Sequence, residues 1–344
     1  MPAAPLLEIE NLSTHYVSAK GTRVIRAVEG VSLSLGARQT LGIVGESGSG
    51  KSTLALSIVR LLPPSARVAS GKLLFAGEDL LQMSEAEMRR LRGRRIAMIL
   101  QDPMASLNPL FTVGDQVAEP IRVHEHAKRS TAWRRALDLL KAVRIASPGT
   151  RLRQYPHEMS GGMRQRIVGA IGISCEPRLL IADEPTTSLD LTIQAQYLNL
   201  LRELQQAHGL ALIFITHNLG IVAKMCDQLA VMYAGRVVEA GPVRQIFNAP
   251  VHPYTQALLN SIPRLSDSRH RLTAIDGQPP DLSMLAPGCA FAPRCTRAVD
   301  RCRISEPPQS SMADGRQVRC WLAAAAPAPA VANAVANAVA SGAA

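Results

Sequence analysis

The stretch Gly45-Glu46-Ser47-Gly48-Ser49-Gly50-Lys51-Ser52-Thr53 constrains this chain more than any other. It matches G-x-x-x-x-G-K-[ST] and stands between a short apolar run at residues 40–44 and the helical pattern Leu54, Leu56, Ile58, Leu61, Leu62. A strand that turns through such a loop into a helix is a phosphate cradle. Glycines let the backbone approach phosphate oxygens closely, the N–H groups of the loop and of the helix start take up anionic charge, and Lys51 adds a point charge. The hydroxyl of Ser52 is a ligand for magnesium. An α/β fold around a buried strand follows.

The rest of the chain fits that frame. Leu7 and Ile9, then Val31, Leu33 and Leu35, alternate with polar or small residues and read as antiparallel strands of an N-terminal β subdomain. Ser84 and Glu87 have capping-box spacing ahead of Met88 and Leu91, and residues 96–100 form a short buried strand. From about residue 102 to residue 175 the strand signal fades. Trp133, Ala136, Leu137, Leu140 and Val143 recur there at helical spacing, which predicts a helical insertion. Apolar runs at 179–182 and 211–215 flank a helix near 194–206 and resemble parallel central strands, and residues 228–239 read as a hairpin around Ala234-Gly235. Three segments result: a main α/β unit over residues 6–260, a small cysteine-containing extension over 261–320 within a Pro-rich appendage that starts near Pro250, and an Ala/Pro-rich tail over 321–344 expected to be disordered.

Composition narrows the function classes. The 344 residues are 47% hydrophobic and 19% charged, which suits a folded globular chain. A formal charge of +11 invites nucleic acid, but aromatic residues make up only 3%, so platforms for base stacking are scarce. Short arginine pairs such as Arg89-Arg90 and Arg134-Arg135 read as a solvated basic surface. Residues 1–10 lack the pattern of a secretory signal, and no internal apolar run approaches the roughly 20 residues that span a bilayer. A cytosolic location is expected, with any spanning function left to partners.

Asp183-Glu184 ends the run at 179–182, and two adjacent carboxylates at a buried strand end are costly unless used. Asp183 suits a metal shell and Glu184 the polarisation of an attacking water, which in-line phosphoryl transfer needs beyond positioning and charge neutralisation. His217 and Gln101 each follow another apolar run; alone, each is an ordinary structural His or surface amide. Ser160-Gly161-Gly162, ahead of Met163 and an apolar helix, offers a second helix start suited to an anion.

Taken in order, Gly45 to Thr53, Gln101, Ser160-Gly161-Gly162, Asp183-Glu184, Ser188-Leu189-Asp190 and His217 closely resemble the ATP-binding cassette family. The resemblance implies a cassette-type α/β core and two cassettes facing head to tail, with ATP and magnesium held between one phosphate loop and the signature Ser160, Gly161, Gly162, Met163 of the other. It also implies that Tyr16 stacks on adenine, Gln101 links magnesium and water to the transport subunits, Asp190 lies at the dimer seam, and His217 contacts the γ-phosphate. Met159, Met163 and Asn218 depart from the commonest family residues.

Residues 252–255 (His-Pro-Tyr-Thr), Gly288-Cys289 and residues 291–295 (Phe-Ala-Pro-Arg-Cys) resemble the C-terminal extension of the dipeptide, oligopeptide and nickel importer branch. That branch implies two membrane-spanning permease subunits, a second and different cassette subunit, an extracytoplasmic substrate-binding protein, and a peripheral position on the cytoplasmic face of the inner membrane. Cys289, Cys295, Cys302 and Cys320 lie together in the extension, and their spacing does not match common zinc sites. Zinc and free thiols stay open, while some members of the branch carry a [4Fe-4S] cluster at matching cysteines. Rival readings are a soluble cassette ATPase acting on DNA or ribosomes and an ATP sensor that does not hydrolyse. The first lacks a second cassette or coiled-coil insertion here, and the second sits badly with Glu184 and His217.

Overall fold

The computed structural model describes residues 4–19, 21–102, 106–187, 189–261 and 275–323. Ser188 and the tail from residue 324 onward, both named above, lie outside them. In chain order the strands are β1 (Leu7–Val17), β2 (Val24–Leu35), β3 (Thr40–Val44), β4 (Ala66–Phe75), β5 (Glu78–Asp79), β6 (Ile96–Ile99), β7 (Leu179–Asp183), β8 (Ala211–Ile215), β9 (Gln228–Tyr233), β10 (Arg236–Pro242), β11 (Ser310–Ser311) and β12 (Gln317–Val318). They sort into an antiparallel sheet, β2-β1-β4-β5, and a mixed sheet, β11-β12-β10-β9-β3-β8-β7-β6. Within the second, β9, β3, β8, β7 and β6 run parallel.

The apolar runs without alternation are the strands buried on both faces. On β7, Leu179 and Ile181 face the core shared with the antiparallel sheet and with Leu54 and Ile58 of the helix Lys51–Ile58. Leu180 and Ala182 face the opposite core, with Ile167, Ala170 and Tyr197 from helices Gly161–Ile173 and Leu191–His208. Successive side chains point to opposite faces, so helices or a sheet on both sides demand an unbroken apolar run.

Local signals act as their chemistry requires. Ser84 Oγ accepts the Glu87 N–H at 3.3 Å and a Glu87 carboxylate oxygen accepts the Ser84 N–H at 2.7 Å, closing the capping box of the helix Glu85–Leu91. Ala234 and Gly235 have φ of 48° and 80°, the pair of positive values that a two-residue hairpin needs to match strand twist. The helix after the phosphate loop is shorter than its pattern predicts. Arg60 turns left-handed at φ 52° and Pro63-Pro64 follow, leaving Leu61 52% exposed. Between residues 106 and 175 the described chain holds helices Val113–Glu125, Arg129–Ala142, Pro148–Arg151 and Gly161–Ile173, and no strand.

The sequence reads the chain beyond Pro250 as a separate appendage, whereas in the structure it docks onto the mixed sheet. β12 pairs antiparallel with β10, matching Glu239 to Val318 and Ala240 to Gln317, and β11 extends that edge. Phe291 enters a core with Tyr233, Tyr254 and Val44. The fully buried Glu239 carboxylate accepts the N–H groups of Val251 and His252 at 3.0 and 2.9 Å and faces Arg316 at 3.5 Å, tying sheet, helix Pro253–Asn260 and extension together. An open sheet edge and exposed aromatic faces supply the driving force for this docking. Among the described residues, no helix is long and apolar enough to cross a membrane.

Candidate nucleotide site

β3 delivers the chain into the phosphate loop at the edge of the sheet where all the parallel strands end. Gly50 has φ 99°, and a Cβ there would stand 2.0 Å from the Ala27 carbonyl, so only glycine fits. At Gly48, φ 77°, a Cβ would meet nothing within 4 Å, which leaves the loop open on that side. Ser47 and Gly48 are exposed, Ser49 is buried, and the Ser49 N–H donates to Glu46 O at 3.2 Å. Lys51 is 6% exposed and its Nζ donates to Gly45 O and Glu46 O at 2.8 and 2.9 Å. Burial lowers its pKa, opposed by the charges of Glu184, Asp183 and Glu46. Tyr16 is half-buried on β1, its hydroxyl 3.4 Å from Thr53 Oγ1.

The neighbouring strands bring in the remaining polar groups. Gln101 and His217 each stand two residues past a strand end, β6 and β8, on either side of Asp183 and Glu184. In parallel sheets this carboxyl edge is where ligands bind. Asp183 is 5% exposed; its side chain bonds Ser52, while its Oδ1 is buried with no hydrogen-bond partner. Burial raises its pKa, partly opposed by the Ser52 bond. An orphaned carboxylate oxygen beside a hydroxyl fits magnesium, which takes one or two carboxylates and completes its shell with phosphates and water.

Glu184 adopts φ 45°, rare for a non-glycine residue, and its N–H is fixed to Ile215 O at 2.9 Å. One carboxylate oxygen accepts Thr187 Oγ1 at 2.9 Å and Gln101 Nε2 at 3.3 Å, and the other lies 3.3 Å from His217 Nδ1. The structure thus brings Gln101, Glu184 and His217 together beside Lys51, Ser52 and Asp183. Thr187 is a contact that sequence reasoning missed; a hydroxyl three residues after a carboxylate in a turn is its only signal.

The remaining residues lie on other elements. Ser160 caps the helix Gly161–Ile173, its Oγ accepting the Met163 N–H at 3.3 Å, and Ser160 and Gly161 are exposed. Asp190 caps the helix Leu191–His208 through two N–H groups at 3.0 Å, and beside it Leu191 is 82% exposed. Asn218 does for the helix Leu219–Met225 what an aspartate would, its Oδ1 accepting the N–H groups of Gly220 and Ile221. The chain beyond Pro250 reaches the loop as well: Arg294 of the extension pairs with the Glu46 carboxylate, and the hydroxyl of Tyr254, on the helix Pro253–Asn260, accepts the Glu46 N–H at 3.0 Å. Both residues belong to motifs that mark the branch, yet nothing in the sequence joins them to the loop.

Cys289, Cys295, Cys302 and Cys320 line one small cavity in the extension. Burial pushes the Cys289 thiol up to about 11 and raises those of Cys295 and Cys320. Among the described residues, no three His, Cys, Asp or Glu side chains gather as a group able to hold a metal ion. The four thiols share this cavity, near enough that each of Cys289, Cys295 and Cys320 feels the charge of others in the set.

A family model described as ABC transporter matches residues 28–187, and one described as oligopeptide/dipeptide transporter, C-terminal region, matches residues 238–302. The chain is 50% identical over 318 residues to the probable peptide ABC transporter ATP-binding protein of Sinorhizobium fredii, covering 92% of this chain and 94% of that one. It is 50% identical over 315 residues to the dipeptide transport ATP-binding protein of Escherichia coli, covering 92% and 96%. Among solved structures, a dimeric ATP-binding cassette bound to ADP and Pi superposes with TM-score 0.62 at 24% identity, over 69% of this chain and 99% of that one, which speaks to the fold alone. A component of an ABC transporter complex from Clostridium perfringens gives TM-score 0.61 at 28% identity, over 71% and 91%. With the phosphate loop, the carboxylate pair and the flanking Gln101 and His217 on one sheet edge, the chain belongs to the ABC transporter family and is one of its ATP-hydrolysing members.

Proposed function

We propose that the chain energises an importer of dipeptides or oligopeptides, working with two membrane-spanning permease subunits, a second and different cassette, and an extracytoplasmic binding protein, from the cytoplasmic face of the inner membrane. The observation that carries the ATPase part is the Glu184 carboxylate held between Gln101 and His217 beside the Ser52–Asp183 pair. For the cargo, support comes from the oligopeptide/dipeptide match over residues 238–302 and from relatives whose names specify peptide or dipeptide transport. The cassette then comprises residues 6–260 and the extension 261–320.

In this reading the N–H groups of the loop and Lys51 receive the phosphates, Lys51 exchanging its bonds to Gly45 O and Glu46 O for phosphate oxygens. Tyr16 stacks on adenine. Ser52 and Asp183, with Gln101, would hold magnesium, which supplies charge neutralisation at the β- and γ-phosphates when bound. Glu184 accepts a proton as water attacks the γ-phosphorus and the bond to the β-phosphate oxygen breaks, giving ADP and phosphate. His217 donates to the γ-phosphate and braces Glu184. The signature Ser160 to Met163 closes the site of the other cassette, with Asp190 at the seam.

Affinity purification of the tagged chain from solubilised membranes, with mass spectrometry and an ATPase assay, tests this. Two spanning proteins and a second cassette are expected, with vanadate-sensitive turnover; recovery on nucleic acid or ribosomes would refute the transport role. A second reading, a [4Fe-4S] cluster at the four cysteines, is favoured only by their shared cavity. Iron and sulfide analysis of anaerobically purified protein tests it, and the absence of both elements excludes it.

A further inference from the structure

The second residue of the phosphate loop is an acid, which is electrostatically awkward where ATP must bind. The structure answers that charge from the other end of the chain. Arg294 is only 5% exposed, and every one of its N–H donors is used. Its two terminal nitrogens grip both Glu46 oxygens at 2.7 and 3.1 Å, and also donate to Tyr233 Oη at 3.3 Å and Ile275 O at 3.2 Å. The remaining donor, Nε, goes to Asp276 O at 2.9 Å. This is the bidentate fork that lysine cannot reproduce. Tyr254 completes the grip by accepting the Glu46 N–H at 3.0 Å, while Lys51 holds Glu46 O from inside the loop at 2.9 Å.

The platform that carries Arg294 is itself firmly docked. Phe291, three residues earlier, packs against Tyr233 and Tyr254 with ring centroids 5.2 and 5.4 Å away. Arg319 donates to Gly30 O at 2.7 Å, and β12 is paired to β10. Glu46 is thus held at its carboxylate and its N–H by groups that play no part in the chemistry of Glu184, His217 or Gln101.

We propose that Arg294 and Tyr254 are positioning residues of the nucleotide site: they fix Glu46 and Arg294 neutralises it, so that docking of the chain beyond Pro250 sets the affinity of the phosphate loop for ATP. The inference rests on the reading of residues 45–53 as the ATP site. Removing Arg294 frees a carboxylate beside the incoming phosphates and loosens the loop, which weakens binding more than it slows the chemical step.

The test is titration of the full-length chain with a fluorescent ATP analogue, together with the KM and kcat of hydrolysis and the Tm of each variant. Arg294→Gln is expected to raise Kd and KM about tenfold, as one lost charge-assisted bond would, with a smaller change in kcat. Arg294→Lys, which keeps the charge and loses the fork, should fall between. Adding Glu46→Gln to Arg294→Gln should recover part of the loss, because the unanswered charge is gone. Tyr254→Phe removes only the hydroxyl that accepts from the loop and should raise Kd about threefold; it decides the question if Arg294→Gln does not fold. Lys51→Ala is the control. If it loses nucleotide while folded Arg294 and Tyr254 variants keep wild-type Kd and KM, even with lowered Tm, the proposal is overturned and the ATP site stands. If Lys51→Ala binds ATP normally, the site itself has been misread.

Discussion

Glu184 and His217 face each other across the ends of β7 and β8, with Nδ1 of the histidine 3.3 Å from a carboxylate oxygen. The opposite carboxylate oxygen is bonded to Thr187 and Gln101, so the group proposed to receive a proton is aimed from both sides. Glu184→Gln should keep ATP binding and lower turnover by about 10²-fold or more, the usual worth of a general base. His217→Ala should lower kcat less, since Thr187 and Gln101 still orient the carboxylate. Nucleotide titration beside steady-state ATPase measurement checks both, and normal turnover in Glu184→Gln would remove its assignment to water.

Two glycines of the loop differ in what they tolerate. Gly50→Ala drives a Cβ into the Ala27 carbonyl at a positive φ and should abolish nucleotide binding, with backbone strain alone costing ~1–3 kcal/mol. Gly48→Ala meets the φ penalty without a clash and should cost only about 1 kcal/mol in the nucleotide-free protein. Thermal denaturation of the two variants should rank them in that order; equal losses would contradict the geometry.

Burial without a countercharge drives the His252 pKa from 6.5 down to about 3. The unfolded chain binds this proton more readily than the folded one, so stability is full above pH 6.5 and falls as pH drops toward 3. Glu239, raised above 4.5 by burial, acts in the opposite sense. His252→Asn keeps a cap acceptor and should flatten the dependence of Tm on pH just below 6.5. An unchanged slope in that variant would place the titration elsewhere.

Phe291→Ala removes the ring that seats the extension against Tyr233, Tyr254 and His252. A buried aromatic truncated this way costs about 3–5 kcal/mol. Chemical denaturation should show the loss, and limited proteolysis should cut first within residues 275–323. Wild-type resistance would mean that β12 pairing alone holds the segment.

Much of the site was legible because phosphate chemistry dictates both residue type and spacing. A loop that must expose N–H groups needs Gly48 and Gly50 at set positions, and a carboxylate pair useful to magnesium and water must end a buried strand. The helix cap at Ser84 is local, and its spacing predicts it; the caps at Asp190 and Asn218 are as local, yet the family resemblance drew attention to other roles for those residues. The helix after the loop ran shorter than its apolar pattern because Arg60 turns left-handed ahead of Pro63-Pro64, a break that apolar spacing cannot register. The docking of the extension was invisible for a different reason: strands of two residues carry no periodicity, and pairing of β12 with β10 depends on an edge left open far earlier in the chain. The four cysteines were read as a possible metal set from their clustering and from the branch resemblance; they border one cavity, and among the described residues no group of three His, Cys, Asp or Glu able to hold a metal ion is formed.

Glu46 and Arg294 are separated by 248 positions along the chain. A nascent polypeptide therefore displays its phosphate loop early in synthesis and cannot clamp it until the extension has left the ribosome. Products cut short between His217 and Arg294 would carry every ATP-handling motif and still lack the arginine fork, so synthesis through the extension becomes a condition for the complete hold on Glu46.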